Sequence, residues 1–495
     1  MITFKTEVMK KLLIILFVGL FVIRCEENLQ EVPESFLTQN NFINDPNYAI
    51  STLHSIYATF DRRNSYPLIL FMALLENRAE YSDGRGSQVP ISIYDKPLDN
   101  TNQVRAFNCW NDIYNGINRA NNLLDNIDAV TELDPGLKAR YIAEAKFLRA
   151  YFYSDLVKYW GAVPLRTNVF VDLADLPAPR TPASEIWRFI IDELTQAIPD
   201  LPQEIPPTSE VGRANAWAAR MLLANAYLNT QDWNNAREQA DFVIKNSPYS
   251  LVQVNSSEDF LNIYGPEVTT HSEDIWSFQF TGVNGTSLPT FIAPGAVPGF
   301  SVAGYRAWLP VSTSILSSWD KDDLRRNFNL YNAQDIAETG VTFSEWALFG
   351  KWRDGGAPTA GSNRNNIPVF RLAEAYLIYA EAANEVESGP SALAYERLNT
   401  IRRRGYGLPL GTSSEIDVPS GLSANEFRNK VLEERAYEFV LELKRWNDLL
   451  RTGTAREAVE ATGKTFMDFS LLFPIPFDEI NNNPALSESD QNPGY

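Results

Sequence analysis

A chain of 495 residues with a formal net charge of −19 is long enough to bury a large core without disulfides. The acidic balance excludes a nucleic-acid backbone as the main partner, because no surplus of Lys and Arg is available to displace counterions. With two His and two Cys, neither His54 nor His271 having a ligand neighbour at zinc spacing, a zinc site and a His-centred triad are not expected, and no cofactor is assigned.

At the amino end, Lys10 and Lys11 precede an apolar run over residues 12–23. That order reads as a secretory leader, and the run is too short to cross a bilayer. Met9 offers the leader a more usual start. Cys25 follows at the position of the lipid-accepting residue of a bacterial lipoprotein, with residues 1–24 removed. Arg24 stands where such leaders usually carry Gly, Ala or Ser. With Cys25 acylated, Cys109 is the remaining thiol and no intrachain disulfide can form.

The first half of the remaining chain is helical in pattern. Asp45-Pro46 reads as a helix cap followed by Pro at the first helical position, and residues 67–79 read as a second apolar helix. Residues 80–102 are rich in Ser, Asp, Gly and Asn and are expected to form a long loop. Helix is expected again over 103–128. Over 141–160, Tyr141, Ala145, Leu148, Phe152, Leu156 and Tyr159 step by four, three, four, four and three, which places them on one helix face. Tyr153 and Trp160 widen that face, so this helix should be buried on more than one side, with Gly161 as its stop. Residues 212–229 and 232–246 form a helix pair whose Ala224, Tyr227, Ala236, Val243 and Pro248 fall where a tetratricopeptide repeat places its packing residues. Residues 371–387 and 392–404 look like a looser copy. A generic helical bundle would show the same periodicity.

Residues 249–368 read differently. Residues 274–280 alternate like a short strand, and dense Gly, Pro, Ser and Thr follow. Aromatics on polar loops suit sugars, since a pyranose stacks its C–H face on a ring while its hydroxyls need polar partners. The same aromatics could instead pin long loops to the core. The candidate ligand contacts are Asn77, Tyr81, Arg85, Tyr94, Tyr305, Trp308 and Trp352, with the aromatics ranked above Arg85 and Arg306.

In the last third, residues 369–387 are expected to form one helix and residues 422–450 another, along which Leu432, Ala436, Phe439, Leu443, Trp446 and Leu450 repeat by three and four. Glu434, Glu438 and Glu442 run beside them. Glu438 and Glu442 could serve a glycoside hydrolase as acid and base, or could form an ion-pair face with Arg435 and Arg445.

Five segments, in order, carry a resemblance: LRAYFYSDLVKYWGAVPL, GRANAWAARMLLANAYL, PVFRLAEAYLIYAEA, EERAYEFVLELKRWNDL and FPIPFDEI…NPGY. Together they resemble the SusD/RagB family of nutrient-binding outer-membrane lipoproteins of Bacteroidetes. Leu443 and Lys444 depart from the Gly-His usual there. The resemblance implies a mainly α fold, with tetratricopeptide-like helix pairs and an irregular, loop-rich ligand-binding region. It implies four stretches: the leader 1–24, a helical region 25–250, the irregular region 251–368 and a helical region 369–495. It also implies a lipid-anchored protein on the outer face of the outer membrane, where Glu26-Glu27 resembles the export tag of surface lipoproteins. Such a protein binds a glycan or other nutrient above a SusC-like TonB-dependent transporter and is not an enzyme. A protein-interaction scaffold with no small ligand is the further alternative, and no ligand motif carries over to name the glycan.

Overall fold

The computed structural model describes residues 45–61, 66–169, 177–331 and 348–495. The expected leader and Cys25 lie outside them. Helix α1 (Pro46–Tyr57) starts as its sequence requires: the Asp45 carboxylate accepts from Asn47 N at 2.8 Å and Pro46 takes the first turn. Helix α2 (Ile69–Glu76) is shorter than expected and leads into β1 (Ser82–Gly84). The loop expected over 80–102 therefore contains a strand, and a 3-10 segment (Gly86–Ser92) follows it. Asp99 then caps α3 (Asn100–Asn126), accepting from Asn102 N at 3.0 Å.

Helix α4 (Pro135–Trp160) is the centre of the first half. Asp134 caps it and Gly161, at φ +75°, ends it in a conformation that favours Gly. Its predicted face is buried, and so are Tyr153 and Trp160. The second covering surface comes from the carboxyl end of the chain. The Trp160 indole donates to Pro474 O at 3.1 Å, Phe473 N donates to Tyr159 O at 2.8 Å, and the Asn492 amide donates to Trp160 O at 3.0 Å. Helix α5 (Ala183–Ala197) packs on α4. Helices α6 (Ala216–Asn229) and α7 (Trp233–Asn246) form an antiparallel pair, with the rings of Trp217 and Phe242 stacked at 6.1 Å.

The expected strand is β2 (Asp274–Phe278), but its five residues are all buried, so burial does not alternate. Both faces are covered, and the Asp274 carboxylate is satisfied by the Ser277 hydroxyl. After β3 (Trp308–Pro310), β4 (Ile367–Arg371) pairs antiparallel with β2. Val369, Phe370 and Arg371 are thus strand, and helix α8 (Leu372–Val386) begins only afterwards. Helix α9 (Ala392–Gly405) pairs with α8, and α8 in turn packs on α7, stacking one helix pair on the other.

The helix expected over 422–450 is broken. Helix α10 (Ala424–Glu438) stops, Leu441 and Leu443 adopt φ +58° and +61°, and α11 (Arg445–Arg451) resumes. Side chains from the first half hold the break open. Leu441 N donates to the Tyr81 hydroxyl at 3.1 Å and Leu443 N to Glu76 Oε1 at 2.7 Å, while the Tyr81 hydroxyl donates to the other Glu76 oxygen. These bonds offset left-handed conformations that cost on the order of 1 kcal/mol or more per non-Gly residue.

Burial pushes the Glu76 carboxyl up to about 7, against the lowering from those hydrogen bonds. A carboxyl raised in the folded state adds stability below its ordinary range and loses it as pH rises through its folded value. The stability of Glu76→Gln relative to the parent should therefore rise between pH 5 and pH 8, by on the order of 3 kcal/mol. Urea unfolding of both proteins at each pH measures this, and a gap independent of pH would refute it.

Candidate functional site

Two short strands join the first half of the chain to the irregular middle. β1 and β3 pair antiparallel with Ser82 opposite Pro310, Asp83 opposite Leu309 and Gly84 opposite Trp308. Gly84 is required by close approach, since a Cβ there would lie 2.4 Å from Gln88 O. The pairing extends by one bond, Arg85 N to Ala307 O at 2.7 Å.

Three successive amides fix the next turn: Tyr305 N donates to Thr290 O at 2.8 Å, Arg306 N to Ala293 O at 2.8 Å and Ala307 N to Phe291 O at 2.6 Å. Arg306 sits at φ +48°, a conformation this bracing holds. The result is a ridge on which Tyr305 is 64% exposed. Phe291 supports it from below, edge-on to Tyr305 at 5.6 Å and tilted against Trp308 at 5.7 Å. Arg85 is exposed, and its Nη1 reaches Arg306 O at 3.5 Å. Burial, and then the neighbouring Arg85 charge, lower the Arg306 guanidinium from its ordinary value.

Of the expected ligand contacts, Arg85 and Tyr305 are brought together here. Asn77, Tyr81, Tyr94, Trp308 and Trp352 are buried, and of these Tyr94 alone borders the groove described below. Trp308 donates its indole N–H to Gln88 Oε1 at 2.6 Å, and the same oxygen accepts from the Asn77 amide at 3.0 Å. Asn77 in turn accepts from the Ser82 hydroxyl at 3.0 Å. Tyr94 stacks on Phe466 at 5.7 Å and donates to Arg78 O at 2.8 Å. Trp352 meets Tyr264 edge-on at 5.7 Å. These residues pin the loops that carry the ridge.

A groove of about 460 Å³ flanks β1, lined by Asp83, Ser92, Asp95, Lys96 and Lys464 together with part of Tyr94. Lys464 closes one wall by pairing with Asp83. The sequence offers no pattern that would have singled these residues out, because Lys464 meets the groove only through tertiary folding.

The carboxylates suggested for hydrolysis lie elsewhere, in a buried ion network. Arg371 contacts Glu273 at 2.8 Å, Glu438 at 2.9 Å and Glu442 at 2.9 Å. Arg325 contacts Asp323 at 2.7 Å, Glu434 at 2.6 Å and Glu438 at 3.1 Å. Arg404 pairs with Glu273 and Glu438, and Lys351 with Glu442. Burial alone would raise Glu438 and Glu442. The surrounding cations outweigh it and hold both below the usual carboxylate range. A hydrolytic pair needs an open path to the bond, and both carboxylates are instead buried against Arg and Lys partners. Among the described residues, no group of His, Cys, Asp and Glu is arranged to hold a metal ion, and no helix is long and apolar enough to cross a membrane.

Residues 319–495 match the family described as "SusD family", and residues 52–228 match "Starch-binding associating with outer membrane". A SusD-like protein of Formosa agariphila is 25% identical over 526 aligned positions, covering 95% of this chain and 96% of that one. The crystal structure of a SusD homologue from Bacteroides thetaiotaomicron superposes with a TM-score of 0.77 at 24% identity, covering 93% of this chain and 99% of that one. Surface glycan-binding protein A of the same organism, in complex with laminarihexaose, superposes with a TM-score of 0.72 at 20% identity over 91% of this chain and 99% of that one. Matched over residues 52–228 and 319–495 by family descriptions, aligned with a SusD-like relative over nearly its whole length and sharing this fold, the chain is similar to the SusD/RagB family throughout.

Proposed function

We propose that this protein is a cell-surface glycan-binding lipoprotein that captures an oligosaccharide and delivers it to a SusC-like TonB-dependent transporter in the outer membrane. It acts as a binder rather than an enzyme. The observation that carries the reading is the exposed Tyr305 on a ridge braced by the β1–β3 ladder, in a chain whose relatives are described as starch-binding or glycan-binding. The Tyr305 ring is mostly exposed, and a sugar's C–H face can stack on it while the polar groove beside β1 receives its hydroxyls. The stacked helix pairs α6–α7 and α8–α9 are the part that would face the transporter.

Calorimetric titration with a panel of soluble oligosaccharides tests the reading. One glycan class should bind saturably, and Tyr305→Ala should weaken it about tenfold without lowering the melting temperature, since the ring is mostly solvent-exposed. Unchanged affinity for every glycan bound would remove Tyr305 from the site. The anchor has its own test: Cys25→Ala should move the protein from the membrane fraction to the soluble fraction of a cell lysate. A single acyl chain gives marginal binding and stable anchoring takes more than one, so loss of the acylated Cys should release nearly all of it. Retention in the membrane would exclude lipidation at Cys25.

A further inference from the structure

Charge at the ridge carries the glycan reading one step further. On a chain of net charge −19, guanidinium groups gather at this turn. Arg85 Nη1 lies 3.5 Å from the backbone oxygen of Arg306, so the Arg85 side chain lies against the turn from which the Arg306 side chain departs. Two residues on, Arg105 of α3 holds the same loop, donating to Ser87 O at 3.0 Å and to Ser87 Oγ at 2.8 Å. Asp83, which precedes Arg85 on the same face of the extended segment, is already paired with Lys464. Among the described residues, no carboxylate lies within ion-pair distance of Arg85.

Like charges held together on a braced loop repel one another, and an anion placed between them relieves that repulsion. A planar guanidinium also presents paired donors that match a carboxylate or a sulfate better than they match a neutral hydroxyl. We infer that the ridge binds an anionic glycan, one bearing uronic-acid carboxylates or sulfate esters, with Arg85 holding the anionic group while Tyr305 stacks on the sugar ring. This rests on the proposed glycan-binding function of the same ridge.

The test uses the full chain in detergent and three probes: a tetragalacturonate, a sulfated galactan oligosaccharide and neutral laminarihexaose. At low salt, at least one acidic probe should bind about tenfold more tightly than the neutral one, and that advantage should shrink as salt is raised. Arg85→Gln should cost the acidic probe about tenfold in affinity, and Arg85→Lys should recover part of the loss. Arg85 is exposed, so both variants should melt with the parent. The arms also separate the two sources of charge, since a carboxylate-only or a sulfate-only response names the group. Laminarihexaose bound as tightly as the acidic probes, with Arg85→Gln unchanged, would overturn the anionic assignment and leave glycan binding standing. Silence toward all three would overturn both.

Discussion

Arg371→Met should lower the stability of this protein by about 5 kcal/mol, at the upper end for a broken buried ion pair. The side chain is 1% exposed and contacts Glu273, Glu438 and Glu442. Its removal leaves Glu442 with Lys351 as its cation and leaves Glu273 and Glu438 to Arg404 and Arg325. Native proteins are stable by only about 5–15 kcal/mol, so much of the variant should be unfolded on expression. Arg371→Lys should recover little, because one ammonium cannot reach three carboxylates from a position shaped for a fork. Adding Glu442→Gln to Arg371→Met should cost less than the sum of the two single changes, since the second change removes a charge that the first left exposed to repulsion. Urea unfolding of the four proteins measures this cycle. A single Arg371→Met variant within about 1 kcal/mol of the parent would show that the network contributes little.

Trp308→Ala should also act on stability, lowering it by about 3–5 kcal/mol through the cavity left by a fully buried ring. The change also removes one of the two donors to Gln88 Oε1, leaving that oxygen the Asn77 amide alone. Trp308→Phe separates the two contributions. It retains most of the packing against Phe291 and loses the indole hydrogen bond, at a cost of about 1 kcal/mol. Thermal melts should therefore order the three as Trp, then Phe, then Ala, with glycan affinity of the folded fraction changed far less than stability. An Ala variant that melts with the parent but fails to bind glycan would mean that Trp308 faces the ligand.

Trp308 and Tyr305 also mark the limit of what could be read from the chain. They lie three residues apart in the same polar surroundings, yet one is fully buried and the other 64% exposed. The difference comes from the β1–β3 ladder, which pairs residues more than two hundred positions apart through strands of three residues. Such short strands have no usable periodicity, and non-local pairing leaves no local trace. Helix α4 was legible because its apolar steps run unbroken for several turns between a Pro and a Gly. The break after α10 was hidden for the opposite reason. The spacing of Leu432, Ala436, Phe439, Leu443, Trp446 and Leu450 continues through it, and leucines at positive φ have no signature in sequence. What forces the break, Glu76 and Tyr81, lies in the first hundred residues.

A polypeptide is made and exported from its amino end, so segments meet their partners in order of arrival. Helix α4 is complete by Trp160, but the groups that cover its final turn, Phe473, Pro474 and Asn492, are among the last to appear. Until they do, the Trp160 indole N–H and the Tyr159 carbonyl lack these hydrogen-bond partners. The same arrangement makes the final two dozen residues a checkpoint. A chain truncated before them, by a premature stop or by proteolysis, would display an unsatisfied apolar surface that quality-control proteases and chaperones recognise.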